Sequence, residues 1–129
     1  LAVLFLGIRY QKSSIVVAQI EHIDAINNLE EILNVEGIDG TIIGPYDLSA
    51  SLGKPGKFEA QDVKEAINHY ENVCSKLRKA MGFHVVQPDP KTAIFYRKKG
   101  YAFLAVGIDT LYLGGKCSDV LKSINKYEK

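Results

Sequence analysis

The sequence predicts an α/β fold built on a parallel sheet, and two observations support this prediction. Short apolar runs rich in β-branched residues alternate with amphipathic helical segments four times along the 129 residues. No turn typical of a β-hairpin joins two of these runs, so each strand is expected to reach the next through a right-handed helical crossover. A (β/α)₈ barrel typically needs about 250 residues. The residues alone therefore leave two architectures open, a small open α/β sheet or the second half of a barrel.

The first two strands and the helix between them are predicted from periodicity and turn residues. Strands are expected at residues 16–21 and 41–44, since both segments are apolar and rich in β-branched residues. The intervening helix is expected to take Asp24 as its N-cap and to end at Gly37. Its apolar face is formed by four residues at helical spacing: Ile26, Leu29, Ile32 and Leu33.

The remaining elements continue the same alternation. Glycine and proline predict a loop over 51–58, and the clearest helix is expected over 60–80. That helix carries one apolar stripe, formed by Val63, Ala66, Ile67, Tyr70, Val73, Cys74 and Leu77. A strand over 84–86 opened by Gly82, a helix over 92–99 and a strand over 102–107 follow. A last helix carries a second apolar face, formed by Val120, Leu121, Ile124 and Tyr127.

Composition excludes several classes of partner. The net charge of +1 gives no reason to expect nucleic acid or an acidic membrane surface. No segment approaches the roughly 20 apolar residues of a membrane span.

Residues 1–6 are apolar but lack a basic region and a cleavage pattern, so we interpret them as an interrupted strand or the cut edge of a longer chain. Cys74 and Cys117 have no metal-like spacing, which indicates a reduced, cytoplasmic protein.

Two carboxylates mark the ends of the first two predicted strands. Glu21 closes the first apolar run and Asp47 follows the second, one strand–helix unit further along the chain. Neighbouring parallel strands lie only about 4.8 Å apart, so two acidic residues leaving them at the same end can share one hard cation. Oxygen ligands of this kind suit magnesium or manganese.

The same two segments carry a resemblance to a known family. Gln19-Ile20-Glu21, followed by Gly44-Pro45-Tyr46-Asp47-Leu48-Ser49, resembles the paired motifs of the HpcH/HpaI aldolases, which are metal-dependent class II pyruvate aldolases. Residues 82–86 and 100–109 are similar to the seventh and eighth strands of that family. The resemblance implies a (β/α)₈ TIM barrel, of which residues 1–129 form a single partial domain with about the last four strand–helix units.

The resemblance also implies roles for individual residues. Glu21 and Asp47 would bind a divalent metal ion, magnesium or manganese with cobalt as a further option. Gln19 would contact the pyruvate moiety, and the backbone at Gly44, Tyr46 and Asp47 would bind its carboxylate. Tyr46 stands where characterised members commonly have alanine and is expected to narrow the pocket. The catalytic histidine and arginine of the family lie in the first half of the barrel, so no catalytic residue is assigned here.

The function implied is retro-aldol cleavage of a 4-hydroxy-2-oxo acid to pyruvate and an aldehyde, by a homo-oligomer that exchanges its C-terminal helix. Two alternatives stay open: a non-catalytic half-barrel that binds a 2-oxo acid or a partner subunit, and a lyase similar to the citrate lyase β subunit.

We interpret His84 as packed or solvated at the start of its strand, away from the active edge.

Overall fold

The computed structural model describes residues 14–127 and contains four strands in one parallel sheet. The strands follow chain order across the sheet: β1 Val17–Ile20, β2 Gly40–Ile43, β3 Ala80–Val85 and β4 Phe103–Val106. The helices are α1 Ile23–Asn27, α2 Leu29–Asn34, α3 Pro45–Ser51, α4 Gln61–Leu77, α5 Pro90–Lys98 and α6 Asp109–Tyr127. The predicted parallel α/β architecture is confirmed. The apolar segment 1–6 lies outside the described residues.

The two faces of this sheet are in different environments. The covered face packs against α1, α2, α4 and α5, and its side chains are buried: Ile20, Thr41, Ile43, Phe83 and Val85. The open face carries the alternate residues of the strands, and its side chains are half-buried or exposed: Val17, Gln19, Ile42, His84 and Phe103. Parallel sheets are normally covered on both faces, so the described residues form one half of a two-sided packing arrangement.

Tyr70 is the central side chain of the covered face. It projects from α4 along the predicted apolar stripe and is fully buried. Its hydroxyl donates to the Thr41 carbonyl at 3.1 Å and accepts from the Thr41 hydroxyl at 2.9 Å and from the Gly82 N–H at 3.1 Å. Burial raises the pKa of Tyr70 well above its usual range. The hydroxyl therefore stays protonated and ties α4 to both β2 and β3.

Close approach of β2 and β3 explains one glycine of this region. A Cβ atom added at Gly82 would lie 2.8 Å from the Thr41 carbonyl oxygen and 3.0 Å from the Ile42 Cβ. A side chain at this position would therefore force the two strands apart. The sequence thus places a residue without a side chain where the two central strands lie close together.

The helices differ from the prediction at their ends. The expected helix after Glu21 is two short helices, α1 and α2, which are separated at Asn28. His22, not Asp24, is the N-cap of α1, because its extended backbone lets its Nδ1 accept the Asp24 N–H at 3.2 Å. The long helix α4 ends at Leu77, since Arg78 adopts the left-handed conformation (φ 54°) that terminates a helix. Strand β3 consequently begins at Ala80, which the sequence predicts to be the last residue of the helix.

Strand β4 is joined to α6 by a glycine that contacts an aromatic ring. Gly107 has a φ of +73°, a conformation that favours glycine. The ring of Tyr112 lies where a side chain at position 107 would be, and its hydroxyl donates to the Val106 carbonyl at 3.0 Å. This contact fixes the first turn of α6 against the carboxyl end of β4.

Candidate functional site

The two predicted carboxylates lie at the same edge of the sheet. Glu21 directly follows the last residue of β1, and Asp47 lies in the first turn of α3, which begins one residue after β2. Strands β1 and β2 are adjacent and parallel, with Ile20 paired to Ile43. Both residues are exposed. The sheet thus brings them to one edge as predicted, while their joint binding of a single ion stays a prediction.

Gln19 and Glu21 form a contact at this edge. Gln19 lies in β1 and Glu21 directly follows it, one residue further on than Ile20, and the Gln19 Nε2 donates to the Glu21 Oε2 at 2.6 Å. Gly44, which directly follows β2, leaves room for them. A Cβ at Gly44 would lie 3.2 Å from the Glu21 Cβ and 3.3 Å from its Oε2. The glycine of the second motif therefore makes space for the side chains of the first.

Helix α3 presents backbone donors beside these side chains. Gly44 is its N-cap and no side chain caps it among the described residues. The Leu48 N–H makes the first bond of the helix, to the Gly44 carbonyl at 2.9 Å. The amide groups of Tyr46 and Asp47 precede that bond and have no partner within the helix. Such amide groups at the start of a helix can bind a carboxylate.

Two serines hold α3 in place. The Ser49 hydroxyl donates to the Tyr46 carbonyl at 2.8 Å and accepts the Gly56 N–H at 2.9 Å. The Ser51 hydroxyl accepts the Ile23 N–H at 3.0 Å, which connects α3 to the residues that follow Glu21. Ser51 therefore links the two motifs directly. Sequence reasoning assigned it to a loop, and only its position in the Leu-Ser-Ala-Ser run hinted at a capping role.

The Tyr46 ring is directed to the loop that precedes α4. It meets the Phe58 ring edge to face with 4.9 Å between centroids, and Gly56 lies beside it. Both rings line a cavity of about 540 Å³ between α4 and α5, which also reaches His84 and Gln87. Gln19, Glu21 and Asp47 do not line this cavity. The candidate site is therefore the edge beside the cavity, and the expected narrowing of the pocket by Tyr46 stays a prediction.

The structure corrects the placement of His84. It was expected at the start of its strand, but it is the fifth of the six residues of β3 and lies near the carboxyl end. The difference arises because β3 begins at Ala80 rather than at Gly82. His84 thus lies at the edge of the sheet that carries Glu21 and Asp47.

The donor set at this edge fits a hard divalent cation. It consists of two exposed carboxylates, and the described residues contain no cluster of three or more His, Cys, Asp or Glu side chains suited to a metal. Magnesium is commonly bound through one or two carboxylates, with water and substrate oxygens completing the coordination. Glu21 and Asp47 match that pattern.

Within the described residues, no helix is both long and apolar enough to cross a membrane.

Comparisons with known proteins identify the family of the chain. The family model for HpcH/HpaI aldolase/citrate lyase matches residues 6–114. A 2-keto-3-deoxy-L-rhamnonate aldolase of Escherichia coli O6:K15:H31 (strain 536 / UPEC) is 45% identical over 93 residues, which cover 72% of this chain and 34% of that protein. The chain therefore spans about a third of the length of the curated relatives it matches.

Solved structures give the same result. An HpcH/HpaI aldolase from Desulfitobacterium hafniense DCB-2 superposes with a TM-score of 0.80 at 28% identity, over 90% of this chain and 44% of that one. An HpcH/HpaI aldolase/citrate lyase family protein from Burkholderia cenocepacia J2315 gives 0.79 at 27% identity, over 90% and 46% of the two chains. Partial coverage of this kind agrees with four strand–helix units belonging to a larger barrel.

Proposed function

This chain belongs to the HpcH/HpaI aldolase/citrate lyase family, and on that premise we propose that it forms the C-terminal half of a (β/α)₈ barrel in a class II pyruvate aldolase. The reaction proposed is cleavage of a 4-hydroxy-2-oxo acid to pyruvate and an aldehyde. One observation carries the proposal: Glu21, hydrogen-bonded to Gln19, lies beside Gly44 at the sheet edge where Asp47 opens α3.

Each residue of this edge has a chemical role in the proposal. Glu21 and Asp47 hold a divalent ion, magnesium, manganese or cobalt, which when bound supplies Lewis acidity at the 2-oxo group of the substrate. Gln19 uses one N–H to orient Glu21, which leaves its second N–H for the pyruvate moiety. The amide groups of Tyr46 and Asp47 bind the substrate carboxylate, and Gly44 keeps that approach free of a side chain.

Cleavage also requires a proton to leave the 4-hydroxyl while the C3–C4 bond breaks. The electron pair of that bond passes to the pyruvate fragment, which then takes up a proton at C3. We assign the base to the first half of the barrel, where the resemblance implies the histidine and arginine of the family. This chain contributes binding and orientation of the 2-oxo acid end.

Assembly into a homo-oligomer is part of the proposal. The exposed apolar residues of α6 support it, because contiguous apolar surface marks an interaction site. Leu113 is 69% exposed and Leu121 61%, and Val120 and Ile124 are each 48% exposed. We expect this face to pack against another protomer. Tyr127 is predicted to belong to the same face, but its side chain is not among those that the structure describes.

The free thiols of Cys74 and Cys117 favour a reducing compartment such as the cytoplasm.

The decisive experiment measures pyruvate release from a 4-hydroxy-2-oxo acid by the full-length protein, with magnesium or manganese and with a chelator. Asp47→Ala should lower the rate on the order of 10³-fold, because a metal ligand is lost. Asp119→Ala is the matched control, since Asp119 is an exposed acidic residue of α6. Activity that survives both the chelator and Asp47→Ala would contradict the proposal.

The 129 residues alone provide a second test of the proposal. They should bind pyruvate by calorimetry while turning over almost no substrate, because the base is absent. Pyruvate binding without turnover in the full-length protein would instead favour a non-catalytic barrel. Robust metal-dependent cleavage by the 129 residues alone would show that the base lies within them.

A further inference from the structure

A pair of aromatic rings joins the loop before α4 to the first turn of α3. The Tyr46 and Phe58 rings meet at 90°, with 4.9 Å between their centroids. Aromatic side chains prefer this edge-to-face arrangement. Gly56 completes the contact, because a Cβ atom at that position would lie 3.6 Å from the Tyr46 Cε1. Tyr46 directly precedes Asp47, so the ring pair acts one residue away from a proposed ligand of the metal ion.

The loop that carries Phe58 is tied to both neighbouring helices. The Lys54 N–H donates to the Ser49 carbonyl of α3 at 2.8 Å, and the Lys57 N–H donates to the Lys54 carbonyl at 3.0 Å. The Lys54 ammonium group donates to the Asp62 carboxylate in the first turn of α4 at 2.7 Å. The half-buried Phe58 ring therefore has a fixed support and can restrain the side chain that it contacts.

The first turn of α3 depends on restraints of this kind. The helix has only seven residues, and its N-cap, Gly44, has no side chain to cap it. Helices this short are marginal on their own, so contacts with other elements determine how well they are ordered. The Asp47 side chain is exposed, and among the described residues no hydrogen bond or ion pair holds its carboxylate. The position of that carboxylate therefore depends on the backbone beside Tyr46.

We propose that Phe58 is a positioning residue for the divalent ion: through the Tyr46 ring it fixes the backbone from which Asp47 reaches the ion. This inference rests on the proposed function, in which Asp47 and Glu21 hold that ion. Losing the ring contact leaves both carboxylates present and lowers only their preorganisation, so binding of the ion should weaken without being abolished. An alanine at position 46, which is common in the family, could not make this contact.

Calorimetric titration of the full-length protein with Mn²⁺ tests this role without requiring turnover. Phe58→Ala should raise the Kd for Mn²⁺ about 3- to 10-fold, the effect of losing one aromatic pair. Phe58→Tyr keeps the ring and should stay within about twofold of the wild-type Kd. Phe95→Ala is the matched control, because Phe95 forms an edge-to-face pair with Tyr96 within α5, with 5.2 Å between centroids. The Kd of the control should also stay within about twofold of the wild-type value.

Tyr46→Ala and the double variant sharpen the test. Tyr46→Ala should raise the Kd as Phe58→Ala does, and the double variant should raise it no further, because all three lack the same contact. A wild-type Kd in Phe58→Ala, an equal rise in Phe95→Ala or additive effects in the double variant would overturn the inference. If Phe58→Ala does not fold, Phe58→Leu, which is apolar but has no ring, replaces it with an expected rise of about 2- to 5-fold.

The titration also separates this inference from the proposed function. A wild-type protein that binds no Mn²⁺ would overturn the proposed function, and this inference with it. A wild-type protein whose Mn²⁺ binding is lost in Asp47→Ala, but is unchanged in Phe58→Ala, would overturn only the role of Phe58.

Discussion

The two faces of the sheet are built from the same four strands, yet they carry different kinds of residue. Alternate positions on β2 and β3 place Thr41, Ile43 and Phe83 under the helices, where each is at most 5% exposed. The positions between them place Ile42 and His84 on the open face, which also carries Phe103, 49% exposed on β4. The covered face packs against helices within the described residues. The open face carries the polar side chains on which the proposed chemistry depends.

This difference separates stability from function. Substitutions on the covered face should act through packing in these residues alone. Substitutions on the open face should act through whatever completes the sheet, which the proposed barrel identifies as the first four strand–helix units. One sequence of alternating residues therefore serves two environments.

Ile43→Ala and Ile42→Ala test the comparison most strongly, because the two residues are neighbours on β2 with opposite faces. In the 129 residues, Ile43→Ala should lower the free energy of unfolding by about 3 kcal/mol, since a fully buried side chain leaves a cavity. Ile42→Ala should lower it by about 1 kcal/mol, because Ile42 is only half-buried. Urea denaturation measures both values.

The same pair in the full-length protein shows what lies over the open face. If the barrel closes over this face, Ile42 becomes a core residue. Ile42→Ala should then lower the free energy of unfolding nearly as much as Ile43→Ala does. A mild effect of Ile42→Ala in the full-length protein would contradict the barrel.

Tyr70→Phe tests the covered face with a smaller change. Removing the hydroxyl leaves the buried Thr41 and Gly82 groups without their partner, which should cost about 2 kcal/mol of unfolding free energy. Tyr112→Phe is the matched control, because its hydroxyl also bonds a strand carbonyl but its side chain is 52% exposed. Its cost should stay below about 1 kcal/mol. Equal losses of unfolding free energy in the two variants would show that burial does not determine how much the Tyr70 hydroxyl stabilises the protein.

Leu121→Glu on α6 should have the smallest effect on the stability of a protomer, since the side chain is exposed. Its effect should appear in the molecular mass, because a charge on the apolar face opposes packing between protomers. Light scattering at micromolar concentration measures this. A folded wild-type monomer, or a variant with unchanged mass, would contradict assembly through α6.

Sequence reasoning recovered the elements with strong periodic signals. The strands were found because β-branched runs differ from helical stripes, and α4 was found from its apolar stripe, which places Tyr70 and Cys74 in the core. The location of Glu21 and Asp47 at one sheet edge followed from topology alone, because parallel strands end at the same edge. These predictions required no knowledge of individual contacts.

The missed features lack such a signal. Helix α3 has seven residues, too few for a stripe, and it begins immediately after an apolar strand. His84 was misplaced because Lys79 and Ala80 suit a helix, whereas the left-handed Arg78 ends α4 before them. The split at Asn28 depends on its non-helical backbone and on its side chain, whose Nδ2 donates to the Asp24 carbonyl at 2.8 Å, and neither has a periodic signal. Ser51 was missed because its partner, the Ile23 N–H, is distant in sequence.

The contact between Gly107 and Tyr112 makes these two positions epistatic. A side chain at 107 would overlap the Tyr112 ring, and the left-handed backbone at 107 disfavours any residue other than glycine, whatever residue stands at 112. A replacement at 107 therefore meets two obstacles, the ring and the backbone, whereas a smaller residue at 112 creates no overlap. A smaller residue at 112 should remove the first obstacle and leave the second, so glycine should persist at 107 even where 112 varies.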